Sequence, residues 1–371
     1  MTGRLERDIT RNWKTKKTLV SVCCIVYNHE AYIKDAIEGF LMQKTTFPFE
    51  IIIHDDASTD RTANIVREYE KKYPSIISPI YQKENQYSQG VKCSSIAWSR
   101  AKGEYVAFCE GDDYWTDPLK LQIQMEELYK HQKCDMSFHP AFVKINCKTV
   151  GVMSKHCNQS RIFDLNFIIS SDGGVCPTNS LLIKKNALKE IPEWFYKDAP
   201  VGDYFIQAFG AKRGGALYIN RVMSTYRSQV PGSWSERSGN AHIDDSKKTI
   251  HRYVSCIEKM AKDFPRESRP YLKRACSVSL LSLAIHSIKK NEKKTFAAAI
   301  RKSYNLFPGL NLIQIMLYRL RWSGAVLFKV CQLAAYLRKM FRDNIMHNIL
   351  DYSVGSGGAC QARSRKKIEL E

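Results

Sequence analysis

Two acidic clusters stand where short apolar runs end. Asp55 and Asp56 follow the run 51–53, and Asp112 and Asp113 follow the run 105–109. We predict a β-strand for each run and a helix after each cluster. Because ligands of an open α/β sheet bind outside the carboxyl ends of its strands, both clusters are expected to face one pocket.

Four aspartates in one pocket repel one another, which raises their pKa values unless a positive group joins them. A divalent cation that carries a phosphorylated ligand is the simplest such group. Mg²⁺ and Mn²⁺ prefer hard oxygen ligands and bridge carboxylate to phosphate. The two clusters therefore predict a metal-dependent site for a phosphorylated ligand.

The elements that must position these clusters alternate between strand and helix. Apolar runs predict strands at 19–26, 49–53, 76–81 and 104–109, and helical spacing or capping residues predict helices at 33–41, 60–74, 94–101 and 118–131. This rhythm is typical of a mostly parallel, doubly wound α/β sheet with helices on both faces. From 134 to 227 the pattern is irregular, and we expect this stretch to close over the site.

The chain has 371 residues, which favours two structural units. A polar stretch at 235–239 marks the predicted boundary. We expect a polar N-terminal segment, an α/β domain, a smaller helical C-terminal unit and a flexible tail, with these bounds: 1–17, 18–237, 240–350 and 351–371.

The overall charge points to anionic partners. Lysine and arginine number 57 against 37 acidic residues, a net charge of +20, which suits nucleotides, nucleic acid or an acidic membrane surface without choosing among them. Twelve cysteines without repeated short spacing favour a reduced, cytoplasmic setting. The polar N-terminus has no signal-peptide core, and no apolar run reaches the roughly 18 to 20 residues of a spanning helix.

Four motifs together resemble the family 2 glycosyltransferases, which have the GT-A fold. The matching segments are 20–28, 55–60, 101–115 and 202–204, in the family's order and over roughly residues 18–235. The resemblance implies a Rossmann-like GT-A domain and transfer of a sugar from a nucleotide-sugar donor. It also implies a Mn²⁺ or Mg²⁺ cofactor.

The resemblance also implies roles for single residues. Tyr27 would help to hold the nucleotide, and Asp56 would accept a hydrogen bond from the uracil imide. Asp113 would bind the cation directly, and Asp112 would contact the ribose or the water around the cation. Asp203 would be the catalytic base that takes the proton of the acceptor hydroxyl.

Each of these assignments has a plainer alternative. Asp56 could serve as a turn cap and nothing more, and the pair at 112–113 could belong to a solvated turn. Asp203 could form an ion pair with Lys212 or Arg213. Three further candidates remain open: Trp115 and Trp234 could stack on sugar rings or belong to the core, and Lys92 could reach a phosphate or be solvated.

One position departs from the family pattern. Many relatives carry a histidine two residues after a Tyr-Arg pair, whereas Gln229 stands there in this chain. An amide is a poor metal ligand, so metal binding would depend more on Asp113, or His242 would substitute.

The C-terminal region contains apolar residues at helical spacing, with lysines and arginines among them, between 312 and 342. This pattern is typical of a basic helix that lies on an anionic bilayer. A helix packed on the α/β domain, with extended basic side chains, fits equally well. Membrane association would suit a lipid-linked acceptor.

The sequence thus predicts an inverting, metal-dependent glycosyltransferase of the hexosyl- or N-acetylhexosaminyltransferase class. It would use a UDP-sugar, act on a glycan or lipid-linked acceptor in surface-polysaccharide synthesis, and reside in the cytoplasm, peripheral on the inner membrane. Two alternatives are a non-catalytic scaffold with this fold and a sugar nucleotidyltransferase. The segment 27–31 lacks the glycines that cradle a triphosphate. Charge alone supports nucleic-acid binding, so we expect no nucleic-acid partner.

Overall fold

The computed structural model of the chain describes residues 3–171, 173–233, 236–237 and 241–321. After a short helix, strands and helices alternate along the first part, as the sequence predicts. The elements are α1 Glu6–Thr10, β1 Val20–Val26, α2 Ile33–Leu41, β2 Phe49–Asp55, α3 Thr62–Lys72, β3 Ile77–Tyr81, α4 Cys93–Arg100 and β4 Tyr105–Phe108.

The middle of the chain contains shorter elements. These are β5 Tyr114–Trp115, α5 Lys120–Lys130, β6 Met136–Phe138, β7 Ala141–Ile145, β8 Lys148–Met153, β9 Arg161–Phe163, α6 Leu165–Ile169, β10 Leu182–Lys184, α7 Lys185–Lys189, α8 Glu193–Asp198, α9 Asp203–Gly210, β11 Ala216–Tyr218 and β12 Ser224–Arg227. Three single-turn 3-10 helices occur at Tyr87–Gln89, Thr178–Ser180 and Arg266–Ser268. The described C-terminal helices are α10 Ile243–Met260, α11 Arg269–Lys289, α12 Lys293–Leu306 and α13 Leu312–Arg319.

The main sheet has the order β3-β2-β1-β4-β10-β6-β11-β9. Strands β3, β2, β1 and β4 are parallel, and β11 is parallel to β6. Strand β10 runs antiparallel to both of its neighbours, and β9 runs antiparallel to β11. The predicted α/β class is confirmed as a mixed, mostly parallel sheet. Because β1, β2 and β4 are parallel, the loops that follow them open at one edge.

The first strands are buried, and most of their residues are apolar. Every residue of β2 is buried, and in β1 only Ile25 is partly exposed. Such strands belong in the centre of a sheet that is covered on both faces. Helix α2 covers one face with Ile33, Ile37, Phe40 and Leu41, which are fully buried and have the spacing that predicted the helix.

A smaller sheet, in the order β5-β12-β7-β8, lies next to the second acidic cluster. Strand β5 begins directly after Asp113, and it pairs with β12 so that Ser224 is opposite Trp115. Strand β12 ends at Arg227, which stands beside the cluster as a result. This small sheet belongs to the irregular stretch that we expected to close over the site.

The C-terminal helices continue the core of the α/β domain. Tyr253 and Ile257 of α10 belong to the same hydrophobic cluster as Phe205 and Phe209 of α9. Helices α11, α12 and α13 form a second cluster around residues such as Ile300. The predicted boundary at 235–239 therefore separates two segments that share a core. Helices α10 and α11 pack on the α/β domain, whereas α13, which carries the described part of the basic pattern, packs with α11 and α12.

Parts of the predictions fall outside the described residues. These are Trp234, the basic amphipathic pattern beyond residue 321 and the predicted tail at 351–371. Among the helices that the structure describes, none combines the length and the apolar composition needed to cross a membrane.

Candidate active site

The second acidic cluster forms a tight turn after β4. The Asp113 amide donates to the Glu110 carbonyl at 3.0 Å, and the Gly111 amide donates to the Ile25 carbonyl of β1 at 3.0 Å. A Cβ atom at Gly111 would stand 2.3 Å from Val26 Cγ1, so a side chain would push the turn away from β1. The glycine thus lets the acidic turn lie against the carboxyl end of β1.

Asp113 is the fixed point of the site. It is 1% exposed, and each of its carboxylate oxygens accepts one hydrogen bond. The Asn179 amide donates to Oδ2 at 3.0 Å, and the Arg227 main-chain N–H donates to Oδ1 at 2.8 Å. Because a carboxylate oxygen has a second lone pair, both oxygens can still bind a cation.

Asn179 is itself held from several sides. Its Nδ2 also donates to the Thr225 carbonyl at 3.0 Å, and its Oδ1 accepts from the Ser224 hydroxyl at 2.9 Å. Its carbonyl accepts from the Trp115 indole N–H at 2.9 Å. The asparagine is fully buried, so these contacts fix the direction in which it presents its amide to Asp113.

Arg227 supplies positive charge beside the acidic turn. Its Nη1 donates to the Asp112 carbonyl at 2.8 Å, and its Nη2 forms an ion pair with Asp35 of α2. The guanidinium lies over the Tyr114 ring, 4.3 Å from the ring centroid. This arginine therefore binds the turn without using the Asp112 carboxylate.

Asp203 lies in the same group of carboxylates. It is the first residue of α9, and its carboxylate accepts a hydrogen bond from the Thr178 hydroxyl. Burial and the charges of Asp112 and then Asp203 raise the pKa of Glu110, so Glu110 lies close to both. The single turn Thr178–Ser180 thus contacts Asp203 through its first residue and Asp113 through its second.

Burial changes the ionisation of this group. Desolvation, followed by the charges of Asp112 and Glu110, raises the pKa of Asp113. Asp203 has an exposed surface, but the protein around its carboxyl group displaces enough water to raise the pKa of Asp203 as well. The plainer alternative for Asp203 does not occur, since Lys212 pairs with Glu190 and Arg213 with Asp135.

The residues present fit a hard divalent cation. Within the described part of the chain, no hydrogen-bond donor reaches the carboxylate of Asp112 or Glu110, so their charge is not compensated by hydrogen bonds. The available ligand atoms are carboxylate oxygens, which suit Mg²⁺ or Mn²⁺. No three of these carboxylates bring ligand atoms within 4.8 Å of one another, among the described residues. This spacing suits an ion held by one or two carboxylates together with phosphate and water.

The first acidic cluster is held by other contacts. Asp56 is 3% exposed, and its oxygens accept from the main-chain N–H groups of Gln86 and Tyr87 at 2.8 and 3.0 Å. It therefore anchors the loop before α4. Burial raises the pKa of Asp55, and the charges that act on it are those of His54 and Asp60.

The loops after β1 and β2 are tied together above this cluster. The Asn28 side chain accepts from the Thr59 N–H at 2.8 Å, and the Asn28 N–H donates to the Ser58 hydroxyl at 2.9 Å. Tyr27 precedes this contact and is 44% exposed, so its ring is available to a ligand. Asp60 accepts from the Thr62 N–H at 2.9 Å and stands one residue before Arg61, the N-cap of α3.

The other candidates have varied surroundings. Trp115 is 1% exposed and packs edge-on against Phe40, so the core alternative is correct and sugar stacking is excluded by burial. Lys92 is partly buried at the start of α4, and burial followed by the charge of Arg252 lowers the pKa of Lys92.

The two residues weighed for the missing histidine also have clear positions. Gln229 is exposed, with a left-handed backbone at φ 62°. His242 caps α10 and accepts from the Asp244 N–H at 3.5 Å.

Comparison with known proteins bears on this site. Residues 21–190 match the family model described as glycosyl transferase family 2. An uncharacterised protein of Mycobacterium tuberculosis, Rv1520, is 36% identical over 220 residues, which are 58% of this chain and 60% of that protein.

Two further comparisons concern a characterised relative and a solved structure. Escherichia coli WfaP, a UDP-Glc:alpha-D-GlcNAc-diphosphoundecaprenol beta-1,3-glucosyltransferase, is 33% identical over 138 residues, which are 37% of this chain and 51% of WfaP. The crystal structure of S. aureus TarS 1–349 with UDP-GlcNAc superposes with a TM-score of 0.60 and 18% identity, covering 82% of this chain and 90% of that one. The fold is therefore GT-A, followed by a helical C-terminal unit.

The sequence pointed to the aspartates of the candidate site but not to the residues that position them. Thr178, Asn179 and Arg227 belong to none of the four matching segments. Glu110 lies inside the segment 101–115, which assigned it no role. The one available signal was the Tyr-Arg pair at 226–227, which drew attention to position 229 instead. The contacts of these residues to Asp113 span 66 and 114 positions of the chain.

Proposed function

We propose that the protein is an inverting, metal-dependent glycosyltransferase. It transfers a sugar from a nucleotide-sugar donor, a UDP-sugar, to a hydroxyl of a glycan or lipid-linked glycan acceptor in surface-polysaccharide synthesis. One observation carries the proposal. The turn Thr178–Ser180 contacts the predicted base Asp203 and the predicted metal ligand Asp113 at the same time.

In this proposal Asp203 accepts the proton of the acceptor hydroxyl as that oxygen attacks the anomeric carbon. The raised pKa of Asp203 makes it a better proton acceptor in the ionised state. Thr178 orients the carboxylate through its hydroxyl. One base is sufficient for attack opposite the leaving group, and this geometry inverts the anomeric centre.

Asp113, with Asp112, would hold the Mg²⁺ or Mn²⁺ ion. A bound ion supplies Lewis acidity that stabilises the negative charge of the departing diphosphate. Asn179 and the Arg227 main chain fix the direction of the Asp113 carboxylate that would hold the ion. Arg227 balances part of the negative charge of the turn.

The donor preference rests on Asp56 and Tyr27. Both Asp56 oxygens keep a lone pair beyond the loop contacts described above, so the carboxylate can still accept from the imide N–H of uracil. WfaP uses UDP-Glc according to its name, which supports the same donor class and a lipid-linked acceptor. Thymine presents the same imide group, so the donor panel of any test should include dTDP-sugars.

The place of action in this proposal is the cytoplasmic face of the inner membrane, with peripheral attachment. The net charge of +20 supports it, because basic surfaces are attracted to anionic lipids. A glycan carried on a lipid would be presented at that surface.

The test is turnover of a panel of nucleotide sugars with Mn²⁺, followed as release of the nucleoside diphosphate. We expect Asp203→Asn to lose at least about 100-fold in kcat and to keep nucleotide binding, because general-base catalysis contributes on the order of 10² to 10⁴. Asp198→Asn is the matched control, since Asp198 is partly exposed and pairs with Lys259 of α10. NMR of the first-formed product would report inversion at the anomeric carbon.

Two results would contradict the proposal. Full turnover by the Asp203→Asn variant would remove the assigned base. No turnover with any nucleotide sugar, combined with retained UDP binding, would support the scaffold alternative.

A further inference from the structure

Three buried side chains with different ligand atoms meet below the loop that follows β2. His54 is in β2, Asp56 follows it, and Cys93 begins α4. One ring nitrogen, one carboxylate oxygen and the sulfur lie within 4.8 Å of one another. The three residues are 0%, 3% and 6% exposed. The proposed transfer reaction gives no role to the imidazole or to the thiol.

His54 has one ring nitrogen without a partner. Its Nε2 lies 3.0 Å from the Gln82 side-chain amide, while its Nδ1 is buried without a hydrogen bond to any described residue. The oxygen and nitrogen of a glutamine amide are assigned from their partners, so Gln82 Oε1 can equally face His54. The Nε2–H of His54 then donates a hydrogen bond to Gln82 Oε1, and Nδ1 has a free lone pair. This is the usual arrangement of a metal-binding histidine.

Asp56 and Cys93 are also arranged as ligands. The main-chain N–H groups of Gln86 and Tyr87 fix the Asp56 carboxylate, as the outer partners of a ligating carboxylate do. The Cys93 thiol donates to the Val91 carbonyl at 3.9 Å, and burial followed by the charge of Asp56 raises the pKa of Cys93 to about 12. A cation between the two would favour the thiolate, because a coordinating thiol loses its proton.

We propose that His54, Asp56 and Cys93 bind a zinc ion, with Nδ1, a carboxylate oxygen and Sγ as ligands. Nitrogen, oxygen and sulfur together suit Zn²⁺ and not the hard ions Mg²⁺ and Mn²⁺. The bond to sulfur forms as the thiol proton leaves to solvent. The fourth tetrahedral position is occupied by water.

The distances allow this site after a small movement. Zinc–ligand bonds of about 2.0 to 2.3 Å place tetrahedral ligands roughly 3.3 to 3.8 Å apart. The three atoms lie within 4.8 Å of one another, so they must approach by at most about 1.5 Å, which small rotations of the three side chains can supply. The ion would connect β2 to the start of α4, and so would fix the loop that Asp56 anchors. This inference goes beyond the proposed transfer reaction and does not depend on it.

The experiment is a titration of the metal-free, full-length protein with Co²⁺ as a spectroscopic substitute for Zn²⁺, in excess Mg²⁺ to fill hard oxygen sites. We expect one equivalent to produce a thiolate-to-cobalt charge-transfer band and tetrahedral visible bands, with displacement by Zn²⁺. Cys93→Ser should abolish the charge-transfer band. His54→Gln should weaken binding at least about 10-fold, and Zn²⁺ should raise the melting temperature of the unmodified protein.

Matched controls separate this site from surface cysteines. Cys147→Ser and Cys157→Ser change an exposed and a partly exposed thiol, and both should keep the band and the affinity. Far-ultraviolet circular dichroism verifies folding of each variant, and His54→Gln tests the site if Cys93→Ser fails to fold. A band that persists in Cys93→Ser, an affinity unchanged in His54→Gln, or no stoichiometric binding would overturn the proposal. None of these readouts requires transferase activity, so either proposal can fail alone.

Discussion

Removal of the Asn179 side chain should be the most damaging polar substitution near the site. Asn179→Ala would delete its hydrogen bonds to Asp113, Thr225 and Ser224, all in a fully buried position. A neutral hydrogen bond contributes about 1 kcal/mol and one to a charged group about 2 kcal/mol. The three contacts together amount to about 4 kcal/mol of folding free energy.

Urea denaturation followed by tryptophan fluorescence would measure this loss. Asn64→Ala is the matched control. Asn64 is exposed on α3, and among the described residues its side chain bonds to Arg67 alone, so the free energy of unfolding should change by less than about 0.5 kcal/mol. The Asn179→Ala variant should also bind Mn²⁺ more weakly, as seen by electron paramagnetic resonance, since Asp113 loses one of its two orienting donors. A loss under about 1 kcal/mol with unchanged Mn²⁺ affinity would refute this reasoning.

Two other substitutions test the packing around the sheet. Gly103→Ala should lower the free energy of unfolding by about 2 kcal/mol, because its Cβ would stand 2.6 Å from the Ser21 main-chain nitrogen; an unchanged melting temperature would count against the described approach. Burial lowers the pKa of Lys120 to about 7. The unfolded chain, with lysine near pKa 10.4, therefore binds more protons between these values, and stability rises with pH there. Lys120→Met should abolish this rise of the free energy of unfolding between about pH 7.5 and 9, as measured by denaturation. An unchanged dependence of that free energy on pH would contradict the prediction.

The alternating part of the fold was predictable from sequence because its signals are local. The run at 51–53 is apolar at every position, and such a run can be a buried strand without any knowledge of its neighbours. Helix α5 shows the limit. It begins at Lys120, whereas Pro118 was predicted to open it, because Asp117 caps the Leu119 N–H within an extra turn.

The relation between the two predicted units was not predictable in the same way. Helical spacing in α10 indicates that one face is buried, but it does not say against what. In the structure Tyr253 packs on Tyr204 and Phe205 of α9, with ring centroids 5.4 and 5.6 Å apart. The segments before and after 235–239 thus share one hydrophobic cluster.

The candidate site divides along the same line. Asp112 and Asp113 stand in a recognisable motif after a strand, and Asp203 stands in another. Asn179 and the Arg227 main chain reach Asp113 only through the tertiary fold, and a main-chain donor leaves no trace in the sequence. Burial of Trp115 likewise depends on α2, because Phe40 of that helix packs edge-on against the indole ring.

The most direct measurement of the central claim is UDP binding by isothermal titration calorimetry, with and without Mn²⁺. The account predicts that Mn²⁺ tightens UDP binding at least about 10-fold, which is about 1.4 kcal/mol, in the unmodified protein. Asp117→Asn should behave in the same way as the unmodified protein. Asp117 is a buried aspartate that pairs with Arg221 and does not belong to the acidic cluster around Asp113. Asp113→Asn should bind UDP equally with and without Mn²⁺, and a retained Mn²⁺ effect in that variant would contradict the account.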